Sequence, residues 1–323
     1  MSETEVKTKP EPAGSDSHVP GSFQQILKLT RAQFQEYLAS RRFVILLGIV
    51  AMIGLIITAV VGAFHDRAFL HALVSSPLAF YGSFWGGAAS FVIVLSAVFF
   101  GGDAIAGEFQ NKTGYFLMGL PIRRTTIYVG KYIAALLASI CVLFVFFLII
   151  LANGVYYFGG DALPWQFGPS LLLSIIYLVA VLSTTFLFSS LFKTSAYGFV
   201  LTAILFIIGF SLLQDVVQSI LDYQPWMVIS YASSAIGGVF GTATDPCTGA
   251  VINTINWGLN GIYGIPGGPA ARAGCPTTGG PREALLSGPT WTPGIAEAVV
   301  IMVGYFVITS IVGLMSFERE EFA

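Results

Sequence analysis

Side chains able to do chemistry are few in this chain, and most stand alone. His65, Asp66 and His71 lie close together and are of the types a metal ion takes, but a hydrophilic loop between apolar runs explains them without one. The remaining histidine, His18, is far away in the first twenty residues, and no H-E-x-x-H occurs. Nucleotide chemistry would need G-x-x-x-x-G-K-[ST], whose backbone amides cradle phosphates. Here Gly130-Lys131 runs into Tyr132, and Thr125 stands where the first glycine belongs. The three cysteines make no C-x-x-C pair. Cys141 sits within an apolar run as a small packing residue, while Cys247 and Cys275 share one long polar segment. In an oxidising compartment those two would pair if their Cα atoms came within about 7 Å. No catalytic, cofactor-binding or metal-binding residue is assigned, and the chain is not expected to be an enzyme.

One stretch does concentrate charge. DAIAGEFQNKTGYFLMGLPIRRTTIYVGK, residues 103–131, carries Asp103, Glu108, Lys112, Arg123, Arg124 and Lys131 in a protein only 10% charged. Such a segment cannot lie in hydrocarbon, so it must project between two apolar elements. Asn111-Lys112-Thr113 within it has the form of a glycosylation triplet.

The elements that hold this stretch are membrane spans. The chain has 323 residues, 55% of them hydrophobic, and 27 phenylalanines. Its mean hydropathy is +0.79. About 20 apolar residues at 1.5 Å each cross a ~30 Å hydrocarbon core, and backbone groups in lipid must be satisfied within a helix. Six uncharged runs are long enough: Phe43–Ala63, Leu78–Gly102, Tyr132–Gly160, Ala162–Phe192, Thr194–Gln214 and Ala298–Phe317. The fold class expected is an all-α polytopic membrane protein, with a transmembrane domain over 43–317 and spans at about 43–63, 78–102, 132–157, 170–192, 195–216 and 295–317. Residues 1–21 read as a disordered tail. Residues 22–40 read as an amphipathic interfacial helix, with Phe23, Ile26, Leu27, Phe34, Tyr37 and Leu38 on one face. Residues 103–131 read as a loop, and 222–293 as a large loop containing a re-entrant pair of short helices around Trp226–Gly241.

Lysine and arginine set the orientation. With the amino terminus inside, only Arg67, Arg272 and Arg282 of the 15 basic residues fall outside. Both termini and the charged stretch are then cytoplasmic, which argues against use of the glycosylation triplet. No run carries an ionisable residue at its centre, so a proton or ion path within the chain is not expected. Asp215 and Glu297 lie near outer ends, where water is expected to reach them. Ser183, Thr184, Thr185, Ser189 and Ser190 could line a polar path in the fourth run, but such residues more often hydrogen-bond within and between helices.

The charged stretch resembles the cytoplasmic segment of ABC-2 type permeases, the membrane subunits of ATP-driven exporters. That family's segment has an acidic residue, Gly-Thr, a leucine run, Pro, Arg and then Gly-Lys entering the third span. Glu108, Thr113, Leu117, Leu120, Pro121, Arg124 and Gly130-Lys131 follow that order and spacing, with Lys112 where glycine is usual. The order of helix, spans, outer loop and acidic tail is also similar. The resemblance implies a permease that exports a substrate with ATP and Mg bound by a separate cytoplasmic ATPase, and a second permease subunit. It implies a plasma-membrane location; the net charge of −2 carries no basic excess that would argue for nucleic acid binding. It further implies that Asp103, Glu108, Thr113, Phe116, Leu117, Pro121, Arg123, Arg124, Gly130 and Lys131 receive the motion of the ATPase. In that reading Arg123 and Arg124 pair with acidic groups or headgroups, and Lys131 snorkels at the start of the third span. The alternatives are a permease-like subunit serving maturation of an extracytoplasmic copper enzyme, and a membrane scaffold without transport.

Overall fold

The computed structural model describes residues 22–64, 76–110, 123–160, 163–192, 194–221, 223–244, 251–253, 255–259, 262–264 and 290–319. Within them, six helices are long and apolar enough to cross a membrane: Arg41–Ala63, Pro77–Glu108, Arg124–Phe158, Phe167–Leu191, Ser195–Gln218 and Ile295–Arg319. They are called the first to sixth spans. The chain is an all-α polytopic membrane protein. Its described strands are short: β1 (Thr242–Thr244) pairs antiparallel with β2 (Val251–Asn253), and β3 (Ile262–Gly264) with β4 (Thr290–Thr292).

Burial grades the spans, with the third intermediate at 44%. The second and fourth form the middle of the bundle, with 67% and 61% of their most apolar windows buried, against 17% for the fifth and 22% for the first and sixth. Small residues permit this packing where helices approach closely. A Cβ on Gly198 of the fifth span would lie 2.6 Å from the Gly102 carbonyl oxygen of the second. Hydroxyls join the helices too: Ser183 on the fourth span and Thr309 on the sixth lie 2.6 Å apart, and Thr185 donates to the Ala97 carbonyl of the second span at 3.4 Å, while Thr184 donates within its own helix to the Ala180 carbonyl. Ser183, Thr184, Thr185, Ser189 and Ser190 are all buried, so these groups serve packing in the bundle.

The third span is the longest helix, at 35 residues. At 1.5 Å per residue it extends for about 52 Å, well beyond the hydrocarbon thickness. It begins after Arg123, whose backbone is extended, and ends where Gly159 takes a φ of +82° that L side chains rarely adopt. It therefore starts at Arg124, ahead of the apolar run at Tyr132. Residues 124–131, expected as the end of a loop, are the first two turns of this helix. Ala106–Gln110 is helical as well, so among the described residues of 103–131 only 103–105 and Arg123 lie outside helices.

The amphipathic helix, Ser22–Ala39, uses its apolar face in two ways. Thr30 is buried and Phe34 and Tyr37 pack on the core, while Phe23 and Leu27 remain exposed. The helix lies against the start of the third span, where Thr30 Oγ1 donates to the Gly130 carbonyl at 3.2 Å. The far end of the sixth span reaches the same place, because Arg124 Nη1 donates to the Glu318 carbonyl at 2.9 Å. The amphipathic helix and the end of the sixth span thus share one end of the bundle.

At the opposite end, two short helices, Ile229–Ser233 and Ala235–Gly238, insert among the second, fourth and sixth spans. Ile229, Tyr231, Ala232, Ala235, Ile236, Val239 and Phe240 are buried. Trp85 Nε1 donates to Ser170 Oγ at 2.9 Å, and that hydroxyl donates to the Ile236 carbonyl at 2.6 Å, which ties the pair to the second and fourth spans. The side chain of Gln224 donates to Glu297 and, at 3.0 Å, to the Tyr231 hydroxyl. Glu297 is only 9% exposed and also accepts from the Gly294 amide at 3.2 Å. The expectation that water reaches Glu297 is corrected: the carboxylate is folded under the inserted pair and solvated by protein donors instead.

Candidate functional site

The charged stretch begins where the second span breaks. Its main helix stops at Gly101, residues 102–105 form turns, and helix resumes over Ala106–Gln110. A break inside a bundle frees backbone amides that must find partners. Ser189, buried on the fourth span, supplies one: its hydroxyl oxygen accepts from the amides of Ile105 and Ala106, each at 3.1 Å. The Asp103 carbonyl accepts from the Gly107 amide at 2.9 Å and carries the chain into the resumed helix.

Two carboxylates on this break reach two cations on other spans. Asp103 pairs with Arg42 Nη1, on the second residue of the first span's helix, and also accepts from the Ser195 hydroxyl at the start of the fifth. Gln110 Oε1 accepts from the Ser195 amide at 3.0 Å, which fixes the fifth span's start a second time. Glu108 pairs with Lys131 Nζ of the third span, and the same ammonium donates to the Ala104 carbonyl at 2.9 Å. The Lys131 side chain is 5% exposed. The snorkelling expected for Lys131 is therefore corrected: its charge is held inside the protein, because a carboxylate and a carbonyl replace the water an extended side chain would seek.

Gly130 has a packing reason. A Cβ there would lie 2.8 Å from Leu29 Cδ2, so glycine lets the amphipathic helix approach the third span and receive the Thr30 hydrogen bond. Between this helix and the second and third spans lies a cleft of about 640 Å³, lined among others by Glu36, Tyr37, Arg42, Asp103, Glu108 and Lys131. Burial, with the carboxylates of Asp103, Glu36 and Glu108 nearby, pushes the Tyr37 phenol above its ordinary range, so it stays protonated. Its ring packs on Phe100 with centroids 5.4 Å apart.

The site residues expected from sequence fall into three groups. Asp103, Glu108, Gly130 and Lys131 meet at the break. Arg124 lies nearly two turns before Gly130 along the helix and caps the sixth span, and Arg123 is exposed at the helix start. Thr113, Phe116, Leu117 and Pro121 lie outside the described residues, as do the tail 1–21, His65, Asp66, His71, Cys247 and Cys275. Four participants were not identified as part of this site: Arg42, Ser189, Ser195 and Gln110. Arg42 read as a topology marker and Ser189 as one of several span hydroxyls, and nothing in spacing joins Arg42 to a carboxylate 61 positions away. Among the described residues, no group of three or more His, Cys, Asp or Glu side chains is arranged to hold a metal ion.

Chemically, the arrangement forms a mechanical junction. One break in the second span holds the first span through Asp103–Arg42, the third through Glu108–Lys131, the fourth through Ser189 and the fifth through Ser195. A family model described as "ABC-2 family transporter protein" matches residues 22–322. No curated protein matches the sequence.

Proposed function

Because this chain belongs to the ABC-2 transporter family, a family of multi-pass transport subunits, we propose that it is the permease of an ATP-driven exporter whose ATP and Mg are bound by a separate cytoplasmic subunit. The observation that carries this reading is the junction at the second span's break. A push delivered to the described residues 103–110 meets paired charges and hydrogen bonds leading directly to four other spans. Rigid elements joined in this way move as bodies, the form in which closure of an ATPase pair is converted into reorientation of helices. Two permeases and two ATPases would complete the transporter. The distribution of basic residues supports a cytoplasmic junction and cytoplasmic termini, the family supports a plasma-membrane location, and the inserted helices at the other end would then stand at the exit.

The test is purification of the full chain in mild detergent from its native membrane. An ATPase bearing a phosphate-cradling Walker loop should co-purify in fixed ratio, and the reconstituted complex should hydrolyse ATP faster than the ATPase alone. Recovery of the chain without any such ATPase would contradict the reading and favour a membrane scaffold.

A further inference from the structure

On the flank of the bundle, beside the junction, lies a second notch of about 400 Å³. Its polar end is formed by Arg42, Asp103 and Ser195, and its walls include Phe99, Phe199 and Val200. Phe99 and Phe199 meet edge to face with centroids 5.3 Å apart, and Val200 is 50% exposed on the bundle surface. Arg42 and Ser195 are the second and first residues of their helices. The polar end therefore sits at the depth of lipid headgroups, and the apolar walls descend toward the acyl chains.

The charges at that end are paired in sign. One guanidinium and one carboxylate stand side by side, with the Arg42 side chain 56% exposed and that of Asp103 20% exposed. Arginine has five donors and matches phosphate oxygens bidentately, so engagement with Asp103 leaves donors for a second anion. A carboxylate in turn accepts from a primary ammonium, which has three donors. We propose that this notch seats an aminophospholipid, its phosphate on Arg42, its primary ammonium on Asp103 and its chains along Phe99, Phe199 and Val200. Binding would keep the Arg42–Asp103 pair and add a phosphate on the remaining guanidinium donors and an ammonium on the carboxylate, a cluster of alternating charges. A glycerol headgroup offers Asp103 no cation and brings a phosphate toward a carboxylate. A choline headgroup has no N–H to donate. Both are disfavoured on the same geometry. The inference concerns the lipid seat alone and does not depend on the ATPase reading.

The experiment is native mass spectrometry of the full purified chain with an equimolar mixture of phosphatidylethanolamine, phosphatidylcholine and phosphatidylglycerol of identical chains. The ethanolamine lipid should be retained in preference to each of the others by about tenfold. Val200→Phe fills the wall, keeps both charges and replaces a surface side chain, so it should fold and lose the preference. Ile207→Phe, also on the exposed face of the fifth span, should keep it. Free phosphoethanolamine, having no chains for the walls, should not displace the lipid. Equal retention of the three lipids, preference for phosphatidylglycerol, preference surviving in Val200→Phe, or displacement by the free headgroup would each overturn the proposal.

Discussion

Replacing Glu108 by alanine should lower the stability of the purified protein by about 2–4 kcal/mol, somewhat below the cost of breaking a fully buried ion pair. Lys131 is 5% exposed and its partner Glu108 25%, so loss of the carboxylate strands an ammonium that has little water to turn to. The Ala104 carbonyl remains, but one neutral acceptor does not compensate a charge. The cost is smaller in the double variant than the two single variants would sum to. Glu108→Leu with Lys131→Met removes both charges and keeps the volume, and such replacements are often neutral. What persists is the Ala104 carbonyl without its donor, a cost of about 1–3 kcal/mol. Denaturation in detergent of the two single variants and the double variant decides this. If the double variant loses as much as the sum of the singles, Glu108 and Lys131 do not act as a pair.

A second large effect is expected from a single methyl group at Gly86. A Cβ there would lie 2.4 Å from Gly237 Cα and 3.1 Å from its nitrogen, backbone against backbone, where no side chain can rotate away. Gly86→Ala must therefore displace the inserted helices by about 1 Å to restore contact distance. The neighbouring Trp85–Ser170–Ile236 relay spans the same joint and would lengthen with it. Overpacking of this kind costs about 1–3 kcal/mol, and more where nothing can move. Gly87 is the internal control, since a Cβ there meets nothing within 4 Å. Gly87→Ala should stay within about 0.5 kcal/mol of the parent. Comparable melting of the two alanine variants would contradict the packing described.

These cases show which parts of the molecule its sequence states openly. Hydrophobic runs are long, continuous and bounded by charge, so six membrane helices follow from length and hydropathy alone. The charged stretch was legible as a unit because charge is rare elsewhere. Its internal geometry was not. Lys131 next to the apolar run at Tyr132 looks like a residue at a membrane boundary, and only a third dimension reveals Glu108 and the Ala104 carbonyl around it. The start of the third span was hidden for the same reason: a compensated lysine can be buried in a bundle, an uncompensated one is held out of it, and spacing does not distinguish them. Glu297 misled in the same direction, since its position near a helix start suggested water. In the fold, Gln224 and the Gly294 amide occupy that place. Glycine is the opposite case. Gly86, Gly102, Gly130 and Gly198 all matter through what approaches them, and a residue without a side chain carries no sign of its neighbour.

The central claim is that motion of an ATPase enters the bundle where the second span breaks and spreads through that junction. The most direct measurement is ATP hydrolysis by the reconstituted complex carrying Asp103→Asn, which keeps the side chain's shape while removing the charge that holds Arg42. Stimulation of the ATPase by the permease should fall by about tenfold, the equivalent of 1.4 kcal/mol of coupling, with the complex still assembled and its melting transition retained. Full stimulation by an assembled Asp103→Asn complex would contradict the claim.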